Sequence, residues 1–289
     1  MLYVRKHTIP LLAICIILLF SLGCSSMYFY PMEQHVLSPN DLGLKYEDVI
    51  LTSQDGTQLH AWYLPAIVAD EADSKGTIYY LHGNAENIST HILNIWWLPA
   101  QGYNVFILDY RGFGKSRGQP HIAGALEDIE AGHRWLTQTS QHHSVPVFML
   151  GQSLGASLGI YYVASQKDNT DLLTFSGVIS DAAFTRYADI VRHVAGKNWL
   201  TWSLQYPISW FAENGYDPID YIDTLTPTPL LILHSQQDQI IPYEHGNLLF
   251  QQAKHPKQWL STSGHHIATF RYEENRLALL HFLENASDR

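Results

Sequence analysis

The chain has 289 residues, of which 46% are hydrophobic and 15% are charged, and this composition indicates a globular protein rather than a disordered one. Its formal net charge is −10, and no basic run follows the first six residues, so a nucleic-acid partner is not expected. The 16 histidines include no H-E-x-x-H motif and no paired Cys/His spacing, so the sequence predicts no metal site.

Residues 1–24 are predicted to be a lipoprotein signal or a membrane anchor. Arg5-Lys6 precedes an apolar segment at residues 9–22, and Gly23-Cys24-Ser25-Ser26 follows it. This pattern resembles a bacterial lipoprotein signal, in which Cys24 would be lipidated and become the mature N-terminus. The alternative is an uncleaved anchor helix, because residues 8–30 carry no charge and are long enough to span a bilayer. Both alternatives put the protein body at a membrane surface, and the lipoprotein alternative has it facing the periplasm or the cell exterior.

Residues 25–45 are predicted to be an irregular tether, and residues 46–289 to be one α/β domain. Residues 46–52 and 58–64 alternate apolar and polar positions around Asp55-Gly56, which predicts an antiparallel hairpin. Apolar strands then alternate with helices, which indicates a mostly parallel sheet covered on both faces. Strands are predicted at 77–81, 103–108, 146–150, 177–180, 229–234 and 257–262, and helices at 88–101, 121–139, 156–163, 243–253 and 272–283.

A long connection at residues 182–226 interrupts this alternation. Connections of this length in a compact domain are usually functional. The segment is rich in aromatic residues: Tyr187, Trp199, Trp202, Tyr206, Trp210, Phe211 and Tyr216. We predict that it forms a cap over the active site with an apolar acyl pocket, the alternative being extra helices that pack on the core.

The motif Gly151-Gln152-Ser153-Leu154-Gly155 follows a predicted strand and precedes a predicted helix. This is the context of a nucleophile elbow, a strained turn that exposes a serine hydroxyl at the end of a sheet. An acyl-transfer site also needs two backbone N–H groups directed at the oxyanion. Leu154 is expected to supply one, and Asn84 in the loop after the strand 77–81 the other. His82 in the same loop is expected to be structural.

The predicted acid and base follow two later strands. Their chain order, Ser, Asp, His, is the one that accompanies a nucleophile elbow. Asp238 lies in the loop after the strand 229–234 and is the predicted acid, with Asp181 as the alternative. After the last strand the sequence offers His265 and His266, and the residues alone leave open which one is the base.

These residues resemble the serine hydrolases of the α/β-hydrolase superfamily, and in particular the membrane-associated bacterial hydrolases related to depalmitoylating abhydrolase-domain enzymes. The matching motifs are Phe29-Tyr30-Pro31, His82-Gly83-Asn84-Ala85-Glu86-Asn87, Asp109-Tyr110-Arg111-Gly112-Phe113-Gly114-Lys115-Ser116, the serine motif, and Asp238 with Ile241-Pro242. The resemblance implies an α/β-hydrolase fold, and His266 as the base, because the family's base lies in a Gly-x-His-Ile-like stretch. The chain departs from the family pattern at Glu86, where glycine is common, and at Ser235.

The expected function is a serine hydrolase that cleaves esters or thioesters through an acyl-enzyme, with Ser153, His266 and Asp238 as the triad. No cofactor is expected, and the expected partners are an acyl-ester or lipid-like substrate and a membrane surface. The first alternative is an aminopeptidase or amidase, in which Glu213 or Asp217 would hold a substrate amine. The second is a membrane-tethered binding module without catalysis.

Overall fold

The computed structural model describes residues 28–70, 73–139, 145–197 and 199–287. The predicted signal or anchor, with Cys24, lies outside these residues. None of the helices in the described ranges has the length and apolarity needed to cross a membrane.

Eight strands form one sheet with a mostly parallel arrangement, as the sequence predicts. Their spatial order is β10-β9-β8-β7-β4-β6-β3-β2, and β2 and β3 form the predicted antiparallel hairpin. A separate pair, β1 and β5, is parallel. The strands are β1 (Tyr30–Pro31), β2 (Glu47–Thr52), β3 (Gln58–Leu64), β4 (Gly76–Leu81), β5 (Ala85–Glu86), β6 (Tyr103–Asp109), β7 (Val147–Gln152), β8 (Gly177–Asp181), β9 (Leu230–Ser235) and β10 (Lys257–Thr262).

The central strands are buried on both faces of the sheet, because their successive side chains point to opposite faces and helices cover each. In β4, Tyr79 and Leu81 join one apolar cluster, and Ile78 and Tyr80 join the other. Helices cover both clusters: α1 (Ile88–His91), α2 (Ile122–Gln138), α3 (Leu154–Ser165), α4 (Tyr187–Lys197), α5 (Gln205–Ser209), α6 (Tyr243–Gln252) and α7 (Glu273–Ser287).

One predicted helix is wrong in its extent. Residues 88–101 form only the single turn α1, followed by two 3-10 turns at Ile92–Asn94 and Pro99–Gln101. Pro99 at the start of the last turn cannot donate a backbone hydrogen bond, and Gly102 ends the turn with φ 90°. Most apolar side chains of the segment are buried all the same, namely Ile88, Ile92, Ile95, Trp97 and Leu98, so its hydrophobic pattern reflects burial rather than a continuous helix.

The stretch predicted as an irregular tether packs onto the domain over its described part. Tyr28 and Phe29 are buried, and Phe29 contacts Phe113 edge to face with ring centroids 6.0 Å apart. β1 pairs in register with β5, Tyr30 opposite Ala85 and Pro31 opposite Glu86. This segment therefore adds a short strand beside the loop that follows β4.

The strand order reverses beside β4, since the chain continues from β4 to β6 on one side and returns to β7 on the other. Ligands of open α/β sheets bind at the carboxyl ends of the strands at such a point. The loop after β4 and the turn after β7 both lie there, and the predicted cap, with α4 and α5 packed against each other, follows β8.

Candidate active site

Ser153 occupies the turn between β7 and α3 with a positive φ of 57° and ψ of −118°. A side chain at Gly151 would place its Cβ 2.4 Å from the Gly155 carbonyl oxygen, and one at Gly155 would lie 2.2 Å from the Leu81 oxygen. Both glycines are therefore steric requirements of the turn. A non-glycine residue held at positive φ is strained, and such strain clusters at functional sites.

Three of the predicted site residues are joined by hydrogen bonds. His266 Nε2 lies 2.9 Å from Ser153 Oγ, and His266 Nδ1 lies 2.6 Å from Asp238 Oδ2. The other carboxylate oxygen of Asp238 accepts the backbone N–H groups of Ile240 at 2.8 Å and Ile241 at 2.9 Å. This is the nucleophile–base–acid geometry of a catalytic triad.

The Asp238 carboxyl is kept ionised by its partners. Burial by itself raises the pKa of Asp238, but the hydrogen bond from His266, the charge of that imidazole and the two backbone N–H groups outweigh it, so the pKa lies below its ordinary value of 3.8. An ionised carboxylate at this position fixes the His266 ring and stabilises the imidazolium that forms when the ring takes a proton.

The side chains of His265 and Asp181, the alternative base and acid, are not part of the Ser153–His266–Asp238 hydrogen bonds. His265 is exposed. Asp181 is fully buried and accepts hydrogen bonds from Thr269 Oγ1 at 2.8 Å and Gln152 Nε2 at 2.7 Å. Burial outweighs these bonds and raises the pKa of Asp181 to about 6. The hydrogen bonds of Asp181 therefore brace the structure beneath the elbow.

The loop after β4 is held by the N-terminal segment. The Tyr30 N–H donates to the Asn84 carbonyl at 2.7 Å, and the Met32 N–H donates to the Glu86 carbonyl at 3.0 Å. The Asn87 side chain donates to the carbonyls of Met32 and Gln34. Glu86 has a φ of 64°, which explains why glycine would suit this position. Hydrogen bonds from β1 thus fix the peptide groups around Asn84.

His82 braces the same loop. It is fully buried, its Nδ1 lies 2.7 Å from the Gly83 carbonyl, and its ring packs on Tyr110 with centroids 4.3 Å apart. Burial, with His91 beside it, lowers the pKa of His82 to about 3, so the ring is neutral. A structural role, as predicted for this histidine, fits a neutral ring bonded to its own loop.

A cavity of about 320 Å³ opens at Ser153. Asn84 and Leu154, the two predicted oxyanion residues, line it beside the serine. The rest of the lining is mostly apolar and comes from the N-terminal segment, the cap and the loop after β9: Tyr28, Tyr30, Phe184, Ile190, Val191, Val194, Ala195, Thr201, Ile208, Ile240 and Ile241.

One group of side chains in the described residues has metal-ligand geometry. His35, His60 and Asp109 place one candidate ligand atom each within 4.8 Å of one another. The Asp109 carboxylate already accepts from His35 Nε2 and from the Ile88 N–H, each at 2.9 Å. Burial by itself raises the pKa of Asp109, but the hydrogen bond from His35 and the nearby imidazole of His60, 3.7 Å away, outweigh it, so the pKa falls to about 2. These contacts explain the cluster as a brace between the N-terminal segment and β6.

The model of the family described as serine aminopeptidase, S33, matches residues 72–223. This range includes Ser153 and ends before Asp238 and His266. The chain is a member of the α/β-hydrolase superfamily. The family match, the fold and the relatives described in the next paragraph all support a hydrolase.

Relatives of this α/β hydrolase occur in bacteria and eukaryotes. The uncharacterized protein YfhR of Escherichia coli K12 is 33% identical over 245 residues, which is 84% of this chain and 80% of that protein. The α/β-hydrolase domain-containing protein WAV2 of Arabidopsis thaliana is 29% identical over 76% of this chain and 71% of its own. The Pyrococcus furiosus esterase Pf2001 has the same fold, with a TM-score of 0.71 and 22% identity over 89% of this chain and 98% of that one.

Several residues around the site were not singled out in the sequence. Gln152, the variable residue of the elbow motif, bridges Asp181 and Asn94, and its Oε1 also accepts from the Tyr80 hydroxyl. His234 lies beneath Asp238, with its Nε2 3.0 Å from the Ile241 carbonyl. The Phe29-Tyr30-Pro31 motif could have indicated the N-terminal strand, which the sequence analysis did not predict. Nothing local distinguishes Gln152 or His234.

Proposed function

We propose that this protein is a serine hydrolase that cleaves carboxylic esters or thioesters of apolar acyl groups through an acyl-enzyme. The Ser153 hydroxyl attacks the acyl carbonyl carbon while His266 Nε2 takes its proton, and Asp238 stabilises the imidazolium. The Asn84 and Leu154 N–H groups stabilise the tetrahedral oxyanion. His266 then protonates the leaving group and activates the water that releases the acid.

The observation that carries this proposal is the continuous hydrogen-bonded chain Ser153–His266–Asp238, whose serine lines a mostly apolar cavity. An apolar lining favours an acyl chain, because burial contributes about 0.8 kcal/mol per methylene. We therefore expect kcat/KM to rise about fourfold per added CH₂ until the cavity is full.

An aminopeptidase or amidase is the competing function, and the family description names that activity. A site for a substrate amine needs a carboxylate, and no acidic residue is among the described residues that line the cavity. Asp217, one of the two candidates, accepts the Tyr187 N–H at 2.8 Å and an Arg186 guanidinium N–H at 3.2 Å. These contacts favour a structural role in the cap.

The test combines a covalent probe with matched substrates. A fluorophosphonate is expected to label the wild type, and Ser153→Ala is expected to lose both labelling and at least about 10³-fold in turnover with an unchanged melting temperature. p-Nitrophenyl esters of graded chain length should be cleaved faster than aminoacyl p-nitroanilides. A folded wild type that is not labelled would be a binding module, and faster anilide cleavage would make the enzyme an amidase.

We also propose that the N-terminal segment holds the enzyme at a membrane, as a lipoprotein through Cys24 or as an uncleaved anchor. The uncharged stretch at residues 8–30, with Arg5-Lys6 before it, supports this proposal.

A further inference from the structure

The cap exposes seven large apolar side chains within residues 199–211. The most exposed are Trp199, 84% accessible, and Trp210, 77% accessible. Large apolar side chains grouped on a surface usually mark an interaction site. We call this surface the cap face, and it comprises Trp199, Leu200, Trp202, Leu204, Tyr206, Trp210 and Phe211.

The cap face has an unusual charge composition for this protein. The sequence from Val194 to Phe211 contains none of the 27 acidic residues and one basic residue, Lys197. Acidic side chains are repelled by anionic lipid headgroups, and tryptophan and tyrosine are the residues enriched where a bilayer meets water. This composition fits a lipid surface.

The active-site cavity opens toward the same surface. Val194, Ile240 and Tyr30 line the cavity and are nevertheless 52%, 52% and 60% accessible, so they form its rim. Thr201, between Leu200 and Trp202 of the cap face, also lines the cavity. An acyl chain that leaves the cavity therefore meets the cap face.

The N-terminal segment enters the domain at the same rim. Tyr28 is the first described residue, and it lines the cavity. The uncharged residues 8–27 directly precede it in sequence. A membrane that holds this segment would thus lie beside the cavity rim and not across the protein from it.

We propose that the cap face docks on the lipid bilayer, so that the acyl chain of a membrane-embedded substrate enters the cavity directly from the leaflet. Docking goes beyond the proposed function and does not depend on which acyl bond is cleaved. The entry of substrate from the leaflet rests on the proposed acyl hydrolysis.

Bromolipid quenching of tryptophan fluorescence tests the docking. The full-length protein is reconstituted in phosphatidylcholine vesicles with brominated acyl chains. Three of its eight tryptophans lie in the cap face. The wild type is expected to be quenched, and a variant with Trp199→Phe, Trp202→Phe and Trp210→Phe to lose most of that quenching. The control is Trp96→Phe, which removes a 40% accessible tryptophan outside the cap and should leave quenching unchanged.

Equal quenching in the triple variant and the wild type would overturn the proposal. Absent quenching, together with a dimer that the triple variant loses, would assign the cap face to a second copy of this chain and would also overturn it.

Turnover tests the entry of substrate. With Trp199→Ser, Trp202→Ser and Trp210→Ser combined, hydrolysis of a long-chain ester embedded in vesicles should fall about tenfold or more, whereas cleavage of soluble p-nitrophenyl butyrate should change by less than about twofold. An equal loss on both substrates would reject entry from the leaflet. Quenching that persists in a protein without fluorophosphonate labelling would reject the proposed chemistry and leave the docking intact.

Discussion

At the residue scale, two adjacent histidines have very different surroundings. His266 bridges Ser153 and Asp238, whereas the side chain of His265 is exposed. Ile267, the next residue, has a φ of 52°, a conformation that β-branched residues rarely adopt, so the chain turns sharply directly after His266.

We predict that His266→Ala lowers kcat/KM by about 10³-fold or more, because Ser153 then has no base. His265→Ala is the matched control and should retain activity to within about threefold, since an exposed surface side chain contributes little. Both are measured on the same p-nitrophenyl ester. The reverse ranking would move the base to His265 and leave the reaction class unchanged.

Asp181 and Asp238 differ in the groups that face them. Asp238 is bonded to His266, and Asp181 is bonded to Thr269 and Gln152. We predict that Asp238→Asn lowers kcat by about 10⁴-fold, because the imidazolium loses its stabilising charge and the ring can adopt the wrong tautomer. Asp181→Asn should stay within about tenfold of wild type, because the asparagine oxygen can accept from Gln152 while its NH₂ group donates to the Thr269 hydroxyl. Steady-state kinetics of both variants test this prediction. Comparable losses of kcat in the two variants would show that Asp181 takes part in catalysis.

Asp181 also imposes a pH dependence on stability. Its pKa is about 6 in the folded protein and near 3.8 when unfolded, so the folded state holds the extra proton between these values. The contribution of Asp181 to the free energy of unfolding is therefore complete below about pH 4. It decreases by about 3 kcal/mol as the pH rises through 6. Asp181→Asn removes the effect. We predict that the free energy of unfolding of the variant relative to wild type, from urea denaturation, increases from pH 4 to pH 7. A constant difference would contradict the assigned pKa.

At the scale of elements, the two-residue strand β1 stabilises the loop that carries Asn84. The Tyr30 N–H bonds to the carbonyl of Asn84 at 2.7 Å, and His35 and Asn87 fasten the rest of the segment. A backbone N–H can stabilise an oxyanion only if its peptide is held in one orientation. The Tyr30 bond holds the Asn84–Ala85 peptide, which is next to the peptide that carries the Asn84 N–H, so we expect β1 to support the proposed oxyanion loop although it lies outside the main sheet.

We predict that Tyr30→Pro lowers kcat about tenfold relative to Tyr30→Ala. Both variants remove the ring that lines the cavity, but only proline removes the N–H that holds Asn84. Loss of that orientation weakens transition-state binding, so kcat should fall and KM should change little. Equal kcat values for the two variants would show that β1 is not needed to position the oxyanion loop.

At the scale of the whole molecule, the N-terminal segment and the cap converge on one cavity. Tyr28 and Tyr30 come from the segment, and Val191, Val194 and Ile208 come from the cap helices. If the proposed membrane association holds, the position of the cavity relative to the membrane is set by the cap and by the N-terminal segment together.

We predict that the lipoprotein alternative holds. In a Gram-negative host, labelled fatty acid should be incorporated, and Cys24→Ala should eliminate the label. Cys15→Ala is the matched control, because Cys15, the other cysteine of the chain, would be removed with the signal. Signal removal should shorten the chain by 23 residues, which intact mass spectrometry measures after the mass of the lipid is subtracted. A multiply acylated cysteine would anchor the protein stably. A full-length, unlabelled chain in the membrane would favour the uncleaved anchor, and a soluble cytoplasmic protein would contradict both.

Features that depend on local sterics and periodicity could be predicted from the residues alone. The two glycines around Ser153 specify the tight turn, the apolar runs specify the buried parallel strands, and the Asp55-Gly56 hairpin follows from its own residues. Each of these signals is complete within about ten residues, so no distant contact is needed to interpret it.

The contacts between groups that are distant in sequence depend on tertiary packing. Ser153 and His266 are 113 residues apart, and their contact depends on how β7 and β10 are placed in one sheet. The sequence predicts Asp238 as the acid, with Asp181 as the alternative, and the structure shows that it is Asp238 that contacts the imidazole. The pairing of β1 with β5 was not predicted from the sequence. The break in the predicted helix 88–101 was also decided by tertiary packing, because burial of its apolar residues did not require helical hydrogen bonds. Contacts between distant segments depend on packing, which local sequence patterns do not encode.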